Sequence, residues 1–309
     1  MHSSAGCHTV GPAKSHLLAS EPSMKKILIQ LDTDQQPSVF DRVVAIDAGV
    51  DELFSYGGVN AENVTGLVHG AMFTRSPNDL KNTAIFVGGS DVTAGESLLA
   101  KVQSLFFGPI RVSVLLDSTG SNTTAAAAVR AAARHLELAG SRAVMLGGTG
   151  PVGHRAAQIL ASRGAEVTVT SRTIERARET CDRIREHVPE AQLIPAVPHQ
   201  GGDFSGLLDG CQLLIAAGAA KVQFLREGQW INNKTLRVAI DLNAVPPTGI
   251  EGIGVTDKAK ERGQISCYGA IGVGGTKMRV HRAAIEALFE QHDRILNTSE
   301  VFAIAEKIG

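Results

Sequence analysis

The sequence has 309 residues, 43% of them hydrophobic, and a formal net charge of −1 at pH 7. This length suits two domains of roughly 100–200 residues each. The balanced charge gives no general attraction to nucleic acid or an anionic membrane, and no apolar run reaches the roughly 20 residues of a membrane helix.

Cysteine usage bears on metals and on the redox compartment. The 4 cysteines lie far apart, without a Cys-x-x-Cys pair. This spacing argues against a zinc site or a disulfide framework, so we expect no metal, and it favours a reducing cytosol.

The N-terminal segment differs in composition from the rest of the chain. Residues 1–23 are rich in Ser, His, Gly and Pro and lack the apolar core of a secretory signal. Met24 then opens a strand-like run that ends at Leu31. We expect residues 1–23 to be a disordered extension, a cloning remnant or the product of an early start codon, with an ordered arm as the alternative.

From Met24 onward, short apolar runs alternate with segments of helical length. The predicted elements are a strand at 27–29, a helix at 38–48, a strand at 84–87 that ends in Gly88-Gly89, a helix at 91–105, a strand at 112–116 and an alanine-rich helix that reaches Leu138. This alternation predicts a mostly parallel sheet covered by helices.

A second unit begins at Gly140-Ser141. Its predicted elements are a strand at 143–146, a glycine-rich turn at 147–153, a helix that ends near Ser162, and strands at 166–170, 213–216 and 238–241. The order strand, glycine-rich turn, helix, strand predicts a Rossmann-like unit.

The glycine-rich turn matches the dinucleotide-binding fingerprint. In Gly148-x-Gly150-x-x-Gly153 the first glycine permits a tight turn, the second lets the backbone approach a pyrophosphate, and the third lets helix and strand pack closely. The N-terminus of the following helix offers free N–H groups to the phosphates. The residues assigned to the cofactor here are Gly148, Thr149, Gly150, Pro151, Val152 and Gly153, together with Ala217 and Gly218 after the strand at 213–216.

The end of the strand at 166–170 indicates which nicotinamide cofactor binds. An NAD site usually carries an acidic residue at this position, but Ser171, Arg172 and Thr173 follow here. Arg172 can pair with a 2′-phosphate, and the two hydroxyl groups can add donors. We therefore predict NADP, with NAD as a weaker alternative; the other interpretation of Arg172 is a residue that caps a surface turn.

With these residues placed, the sequence resembles the bacterial NAD(P)-dependent methylene-tetrahydromethanopterin dehydrogenases, from about Lys26 to the C-terminus. The stretches that carry the resemblance are LDTD (31–34), PSVFD (37–41), AIFVGG (84–89), FGP (107–109), LDS (116–118), GSNTTAAA (120–127), GTGPVG (148–153) and GAIGVGGTK (269–277). The resemblance implies a cytoplasmic enzyme, a homo-oligomer such as a trimer, that oxidises methylene- to methenyl-tetrahydromethanopterin in formaldehyde oxidation.

The implied chemistry needs few catalytic groups. A carbon flanked by two nitrogens loses hydride to give a cation that both lone pairs stabilise, and no proton moves. The protein must mainly hold the donor carbon against the nicotinamide and exclude water. We accordingly expect no acid–base dyad, and we interpret the scattered His69, His135, His154 and His281 as surface or packing residues.

Lys277 is the first candidate on the substrate side. We predict that Gly269–Gly275 forms a loop whose glycines, Gly275 among them, let substrate approach the backbone, and that Lys277 precedes a helix ending near Phe289. The resemblance makes the matching lysine an active-site candidate. We expect Lys277 to orient the substrate; the alternative is an ordinary lysine at a helix start.

Other candidates follow predicted strands, where ligands gather in open α/β sheets. One of Asp32 and Asp34 is expected to bind the pterin amidine. Asp117, Ser121 and Asn122 are substrate-binding candidates whose alternative is an N-cap and turn. Asn243 follows the strand at 238–241 and is expected to line the nicotinamide pocket.

These observations predict a two-domain α/β protein with a cleft between the domains. An N-terminal α/β substrate domain spans residues 24–139 and is joined by 265–309, and a Rossmann-like NADP-binding domain spans 140–264. Two other functions stay open: a methylene-tetrahydrofolate dehydrogenase of similar plan, and a non-catalytic NADP(H)-sensing protein. Turnover separates the sensor from the enzymes, and relative rates with the two pterins separate the enzymes.

Overall fold

A computed structural model describes residues 1, 24–199 and 202–308. Apart from Met1, the predicted N-terminal extension lies outside the described residues. The strands are β1 Ile27–Asp32, β2 Glu52–Tyr56, β3 Thr83–Gly88, β4 Ser113–Leu116, β5 Arg142–Leu146, β6 Glu166–Thr170, β7 Leu193–Ala196, β8 Leu213–Ala216, β9 Val238–Asp241, β10 Lys260–Arg262, β11 Ile265–Gly269 and β12 Ile295–Leu296.

The α-helices cover both sheets. Their bounds are α1 Val39–Asp47, α2 Thr65–Phe73, α3 Val92–Ser104, α4 Ser121–Ala132, α5 Pro151–Ser162, α6 Ile174–His187, α7 Ala270–Ala287 and α8 Thr298–Lys307. In the part of the chain that the structure describes, no helix is long and apolar enough to span a membrane.

The strands form two sheets. The first has the order β12-β4-β3-β1-β2 and is parallel throughout, and the second has the order β10-β11-β9-β8-β5-β6-β7, with only β10 antiparallel to its neighbour. The α/β class and the predicted strands are therefore confirmed. The strands β2, β7, β10, β11 and β12 were not predicted; β2 is a half-exposed edge strand and β12 has only 2 residues, so neither carries a clear alternation.

Two predicted helices differ from the structure. The alanine-rich helix ends at Ala132 rather than Leu138. The predicted loop Gly269–Gly275 is wrong, because α7 begins at Ala270 and carries the glycines and Lys277 within its first turns. Packing overrides the low helix propensity of glycine here, since a side chain at Gly272 would collide with the backbone of Asp257.

One helix joins the two sheets. α4 packs against α5, α7 and α8, and its buried face consists largely of alanines, which allow helices to approach closely. The core around it includes Leu28 and Phe86 of the first sheet and Met145 and Val169 of the second. The division at 264 stays a prediction; because β11 belongs to the second sheet, we propose that this unit extends to Gly269 and that the chain then returns to the first sheet through β12.

Candidate functional site

The dinucleotide turn begins directly after β5. Gly147 has a positive φ of 69°, and a Cβ there would lie 2.7 Å from the Cα atom of Gly218. The fingerprint predicted that Gly148 makes the tight turn. In the structure the residue with left-handed backbone conformation is instead Gly147. At Gly148 the constraint is steric, because a Cβ would lie 2.7 Å from the Cγ1 atom of Val169.

The helix that follows this turn starts without a side-chain cap. Gly150 occupies the N-cap position and Pro151 the first helical position of α5, and among the residues that the structure describes no side chain caps the first-turn N–H groups. A Cβ on Gly150 would meet its nearest protein atoms at 3.4 and 3.5 Å, which is ordinary contact distance. The protein alone therefore does not require glycine at 150, whereas close approach of a phosphate would.

A cavity of about 280 Å³ lies beside this turn, at the carboxyl ends of β5, β6 and β8. It brings together Thr149, Gly150, Ser171, Arg172, Ala217 and Gly218, all predicted cofactor residues. The remaining lining residues are Gly147, Thr170, Arg176, Phe204, Ala219, Val222 and Phe224. Among the described residues, the charged side chains that line this cavity are Arg172 and Arg176, with no acidic one, so the cavity suits an anion.

Other predicted cofactor residues support the turn without lining the cavity. Gly148, Pro151, Val152 and Gly153 form the turn and the first turn of α5. Thr173 is the N-cap of α6, where its hydroxyl oxygen accepts the Arg176 N–H at 3.5 Å.

Arg176 also lines this cavity, and the sequence reasoning missed it. It lies in the first turn of α6 and reaches the same cavity as Arg172. A signal existed, because a cation near a helix N-terminus is electrostatically unfavourable and is retained more readily where an anion binds. The apolar side of the cavity, where Phe204 and Phe224 meet edge to face at 5.4 Å, lies in irregular chain that carries no periodic signal.

Asn243 was expected to line the nicotinamide pocket, but its side chain contacts the loop that follows β9. It is buried, its side-chain oxygen accepts the Val245 N–H at 3.0 Å, and its own backbone N–H bonds to Asp241 at 3.0 Å. It thus orders the loop after β9 and does not line the cofactor cavity. Its expected contact with nicotinamide stays a prediction.

A second cavity of about 410 Å³ lies at the carboxyl ends of β1, β3 and β4. Its lining residues are Asp34, Ser38, Phe40, Asp41, Gly89, Ser90, Thr119, Gly120 and Lys277. Asp34 and Lys277, which are more than 200 residues apart in sequence, are thus brought together as ligand-binding candidates. Asp34 also holds the Ser90 side of the cavity, because its carboxylate accepts the Ser90 N–H at 3.0 Å and the hydroxyl at 2.8 Å.

Several predicted substrate residues are buried beneath this cavity instead. Asp32 accepts the Asp34 and Ser38 N–H groups, each at 3.0 Å, and Asp117 accepts the Asn122 N–H at 2.9 Å. The Ser121 hydroxyl donates to the Ser118 carbonyl at 2.8 Å. Asp117 and Ser121 thus form a turn, which is the alternative that the sequence left open for them, and Asp32 orders the loop after β1.

Asn122 is fully buried and all its polar groups are used within the protein. Its amide oxygen accepts from Arg155 at 2.9 Å and Thr298 at 2.8 Å, and its amide N–H donates to the Leu116 carbonyl at 2.7 Å. The turn beside it places Thr119 and Gly120 at φ of 56° and 63°, and both line the second cavity. Asn122 therefore shapes the cavity through this turn.

Lys277 stands in α7 one helical turn before His281. Its Nζ atom lies 3.3 Å from His281 Nδ1 and 4.2 Å from the centroid of the Phe40 ring. Burial lowers the pKa of the Lys277 ammonium, while the carboxylates of Asp117 and Asp41 oppose that shift. Gly275 is exposed on the same helix, and a Cβ there would meet no atom within 4 Å.

Asp41 and His281 complete this cluster and were also missed. Burial lowers the pKa of His281 to about 4 and raises the pKa of Asp41 to about 6. The signal lay in the four-residue spacing of Lys277 and His281, which places both on one helix face when Lys277 is itself helical; the predicted helix began only after Lys277. Across the described residues, no group of three or more His, Cys, Asp or Glu side chains could hold a metal.

Comparison with known proteins gives consistent relatives. The family model described as methylene-tetrahydromethanopterin dehydrogenase, N-terminal, matches residues 39–119. The chain is 41% identical over 287 residues to the bifunctional protein MdtA of Methylorubrum extorquens, covering 92% of this chain and 99% of that protein. It is 30% identical over 309 residues to the NAD(P)-dependent methylenetetrahydromethanopterin dehydrogenase of the same organism, with the same coverage of 92% and 99%.

Among solved structures, the fold is similar to the ligand-free 5-ketofructose reductase of Gluconobacter. The TM-score is 0.52 at 15% sequence identity, covering 93% of this chain and 100% of that one. At this identity the likeness concerns the fold alone.

Proposed function

The chain belongs to the methylene-tetrahydromethanopterin dehydrogenase family, and we propose that it is an NADP-dependent dehydrogenase that oxidises methylene- to methenyl-tetrahydromethanopterin by direct hydride transfer in one-carbon metabolism. The observation that carries this proposal is that the chain has two cavities of complementary character. One cavity is lined by the uncapped start of α5 and by Arg172 and Arg176, and the other is lined by Lys277 and the carboxylates of Asp34 and Asp41.

The residues of the first cavity fit NADP. The pyrophosphate would lie at the uncapped start of α5, where the N–H groups and the helix dipole favour an anion. Arg172 and Arg176 would bind the 2′-phosphate, and Ser171 would add a hydroxyl donor. The nicotinamide of the bound cofactor would supply the hydride acceptor.

The second cavity is the proposed pterin site. Asp34, Lys277 and the apolar ring of Phe40 all line it. We assign to these residues the binding and orientation of the donor carbon, since hydride transfer depends chiefly on alignment. We also propose that a cleft between the two units excludes water and so protects the cationic product.

We propose that the active protein is a cytoplasmic homo-oligomer. Two exposed apolar patches support self-association: Val39, Val43 and Ile46 of α1 form one, and Phe54 and Tyr56 of the edge strand β2 form the other. Exposed apolar patches are typical of protein interfaces.

An absorbance assay of NADPH formation tests the function. Methylene-tetrahydromethanopterin and methylene-tetrahydrofolate are each supplied with NADP and then with NAD. We expect turnover with the methanopterin substrate, faster with NADP than with NAD. Preference for the folate substrate would reassign the pterin, and NADP binding without turnover of either pterin would leave a nucleotide-binding protein.

A further inference from the structure

Asp41 of α1 and Lys277 and His281 of α7 form a connected row of side chains at the second cavity. The Lys277 Nζ atom lies 3.3 Å from His281 Nδ1, and His281 Nε2 lies 3.9 Å from Asp41 Oδ1. An ammonium group only donates hydrogen bonds, so His281 Nδ1 must be the acceptor. The proton of the neutral imidazole is then on Nε2, the nitrogen that faces Asp41.

The surroundings hold the imidazole in this orientation. The His281 side chain is 0% exposed and stacks on Phe86 at 5.8 Å with an interplanar angle of 22°. Among the residues that the structure describes, none forms a hydrogen bond with its Nε2 atom. A buried N–H without a partner is costly, and the nearest charged acceptor is the Asp41 carboxylate, whose side chain is 14% exposed on the wall of the cavity.

The charges around Lys277 matter because the proposed reaction creates a cation. An ammonium beside a forming methenyl cation would oppose hydride loss. Here the Lys277 Nζ atom lies 4.2 Å from the centroid of the Phe40 ring, and two carboxylates act on the ammonium: Asp41 of α1 and Asp117 after β4. Asp117 is committed to a turn, whereas Asp41 borders the cavity.

We propose that Asp41 and His281 are positioning residues that hold the Lys277 ammonium against Phe40 and offset its charge while the substrate becomes cationic. This inference rests on the proposed function. It removes the apparent conflict between a lysine in the site and a cationic product, because the ammonium is anchored to one side and its charge is balanced by a carboxylate.

The balance depends on pH in a defined direction. Burial raises the pKa of Asp41 to about 6, with Asp117 and Asp32 adding to the shift and Ser38 and Lys277 opposing it. As the pH falls through about 6, Asp41 becomes neutral and the Lys277 charge is no longer offset. The hydride-transfer rate should therefore be flat above neutrality and fall below about pH 6.

The decisive experiment measures single-turnover hydride transfer between pH 5 and 8 for the wild-type enzyme and Asp41→Asn. We expect Asp41→Asn to be about tenfold or more slower at pH 7.5 and to lack the fall below pH 6. Asp47→Asn, an exposed carboxylate at the end of the same helix, is the matched control and should retain the wild-type rate and profile. An unchanged rate and inflection in Asp41→Asn would overturn the inference.

A second readout does not depend on turnover. NMR titration of labelled lysine should give a lower pKa for Lys277 in Asp41→Asn than in wild type, because a neighbouring negative charge is lost, and no change in Asp47→Asn. His281→Gln, which keeps a donor and an acceptor, should retain more activity than His281→Leu at equal NADP affinity. If the wild-type enzyme turns over neither pterin, the proposed function fails; an unshifted Lys277 pKa in Asp41→Asn defeats this inference by itself.

Discussion

Arg172 and Arg176 are the side chains on which we expect cofactor selection to depend. Replacing either with alanine should raise the KM for NADP by about tenfold or more, since a hydrogen bond to a charged group contributes about 1.5–3 kcal/mol. The KM for NAD should change little, because NAD lacks the 2′-phosphate. Steady-state kinetics with both cofactors test this, and equal effects on the two would remove these arginines from the phosphate site.

Lys277 is the residue on which we expect substrate orientation to depend. Lys277→Ala should lower kcat/KM for the methylene-pterin by about a hundredfold, because misplacing the donor carbon by about 1 Å can cost that much. NADP affinity, measured by titration, should stay near wild type, since Lys277 does not line the cofactor cavity. Lys277→Arg should not restore full activity, because a planar fork does not replace a compact ammonium. Near-normal turnover in Lys277→Ala would contradict the assignment.

A strand end located some of the expected residues but not all of them. Asp34 and Arg172 follow strands whose apolar runs are plain in the sequence, and both line the cavities expected of them, whereas Asp117 and Asn243 also follow strands and line neither cavity. His281 could have been found from its four-residue spacing to Lys277 on one helix. Asp41 lies on another helix, so its approach to this pair depends on how α1 packs against α7, which no local pattern in the sequence encodes.

At the scale of elements, the start of α5 separates glycines needed by a ligand from glycines needed by the fold. Gly150→Ala should fold with an unfolding free energy within about 0.5 kcal/mol of wild type, because its Cβ meets protein atoms only at 3.4 Å or more, yet it should bind NADP about tenfold or more weakly. Gly153→Ala is the matched variant. Its Cβ would lie 2.5 Å from the Gly147 carbonyl oxygen, so it should lower stability by about 1–3 kcal/mol.

Urea unfolding and NADP titration of both glycine variants measure these effects. Loss of stability in Gly150→Ala, or unchanged NADP affinity with normal stability, would contradict a pyrophosphate at this turn.

Element boundaries show why glycine is an ambiguous signal. The turn at 147–153 was correctly predicted, because a strand, a helix and a second strand surround it in the expected order. The stretch 269–275 has a similar glycine content but is helical from Ala270. Some of its glycines are required by close packing: at Gly272 a side chain would collide with the backbone of Asp257. This contact depends on the tertiary position of the loop before β11, so the sequence alone does not reveal it.

At the scale of the whole molecule, a buried arginine connects the two cavities. Arg155 of α5 is 3% exposed, donates to Asn122 at 2.9 Å and pairs with Glu96 of α3 at 2.8 Å. It thereby ties the helix that follows the dinucleotide turn to the turn beside the second cavity. The alternation of strands and helices predicted the two sheets. The contacts of Arg155 with Asn122 and Glu96 could not be predicted, because they join residues that are distant in sequence and follow no helical or strand periodicity.

Direct hydride transfer from a methylene-pterin to NADP can be tested with a substrate deuterated at the methylene carbon. We expect deuterium at C4 of the nicotinamide in the NADPH formed, with none lost to solvent, because no exchangeable group of the protein carries it. Absence of NADPH formation, or NADPH without the label while deuterium appears in water, would rule out direct hydride transfer.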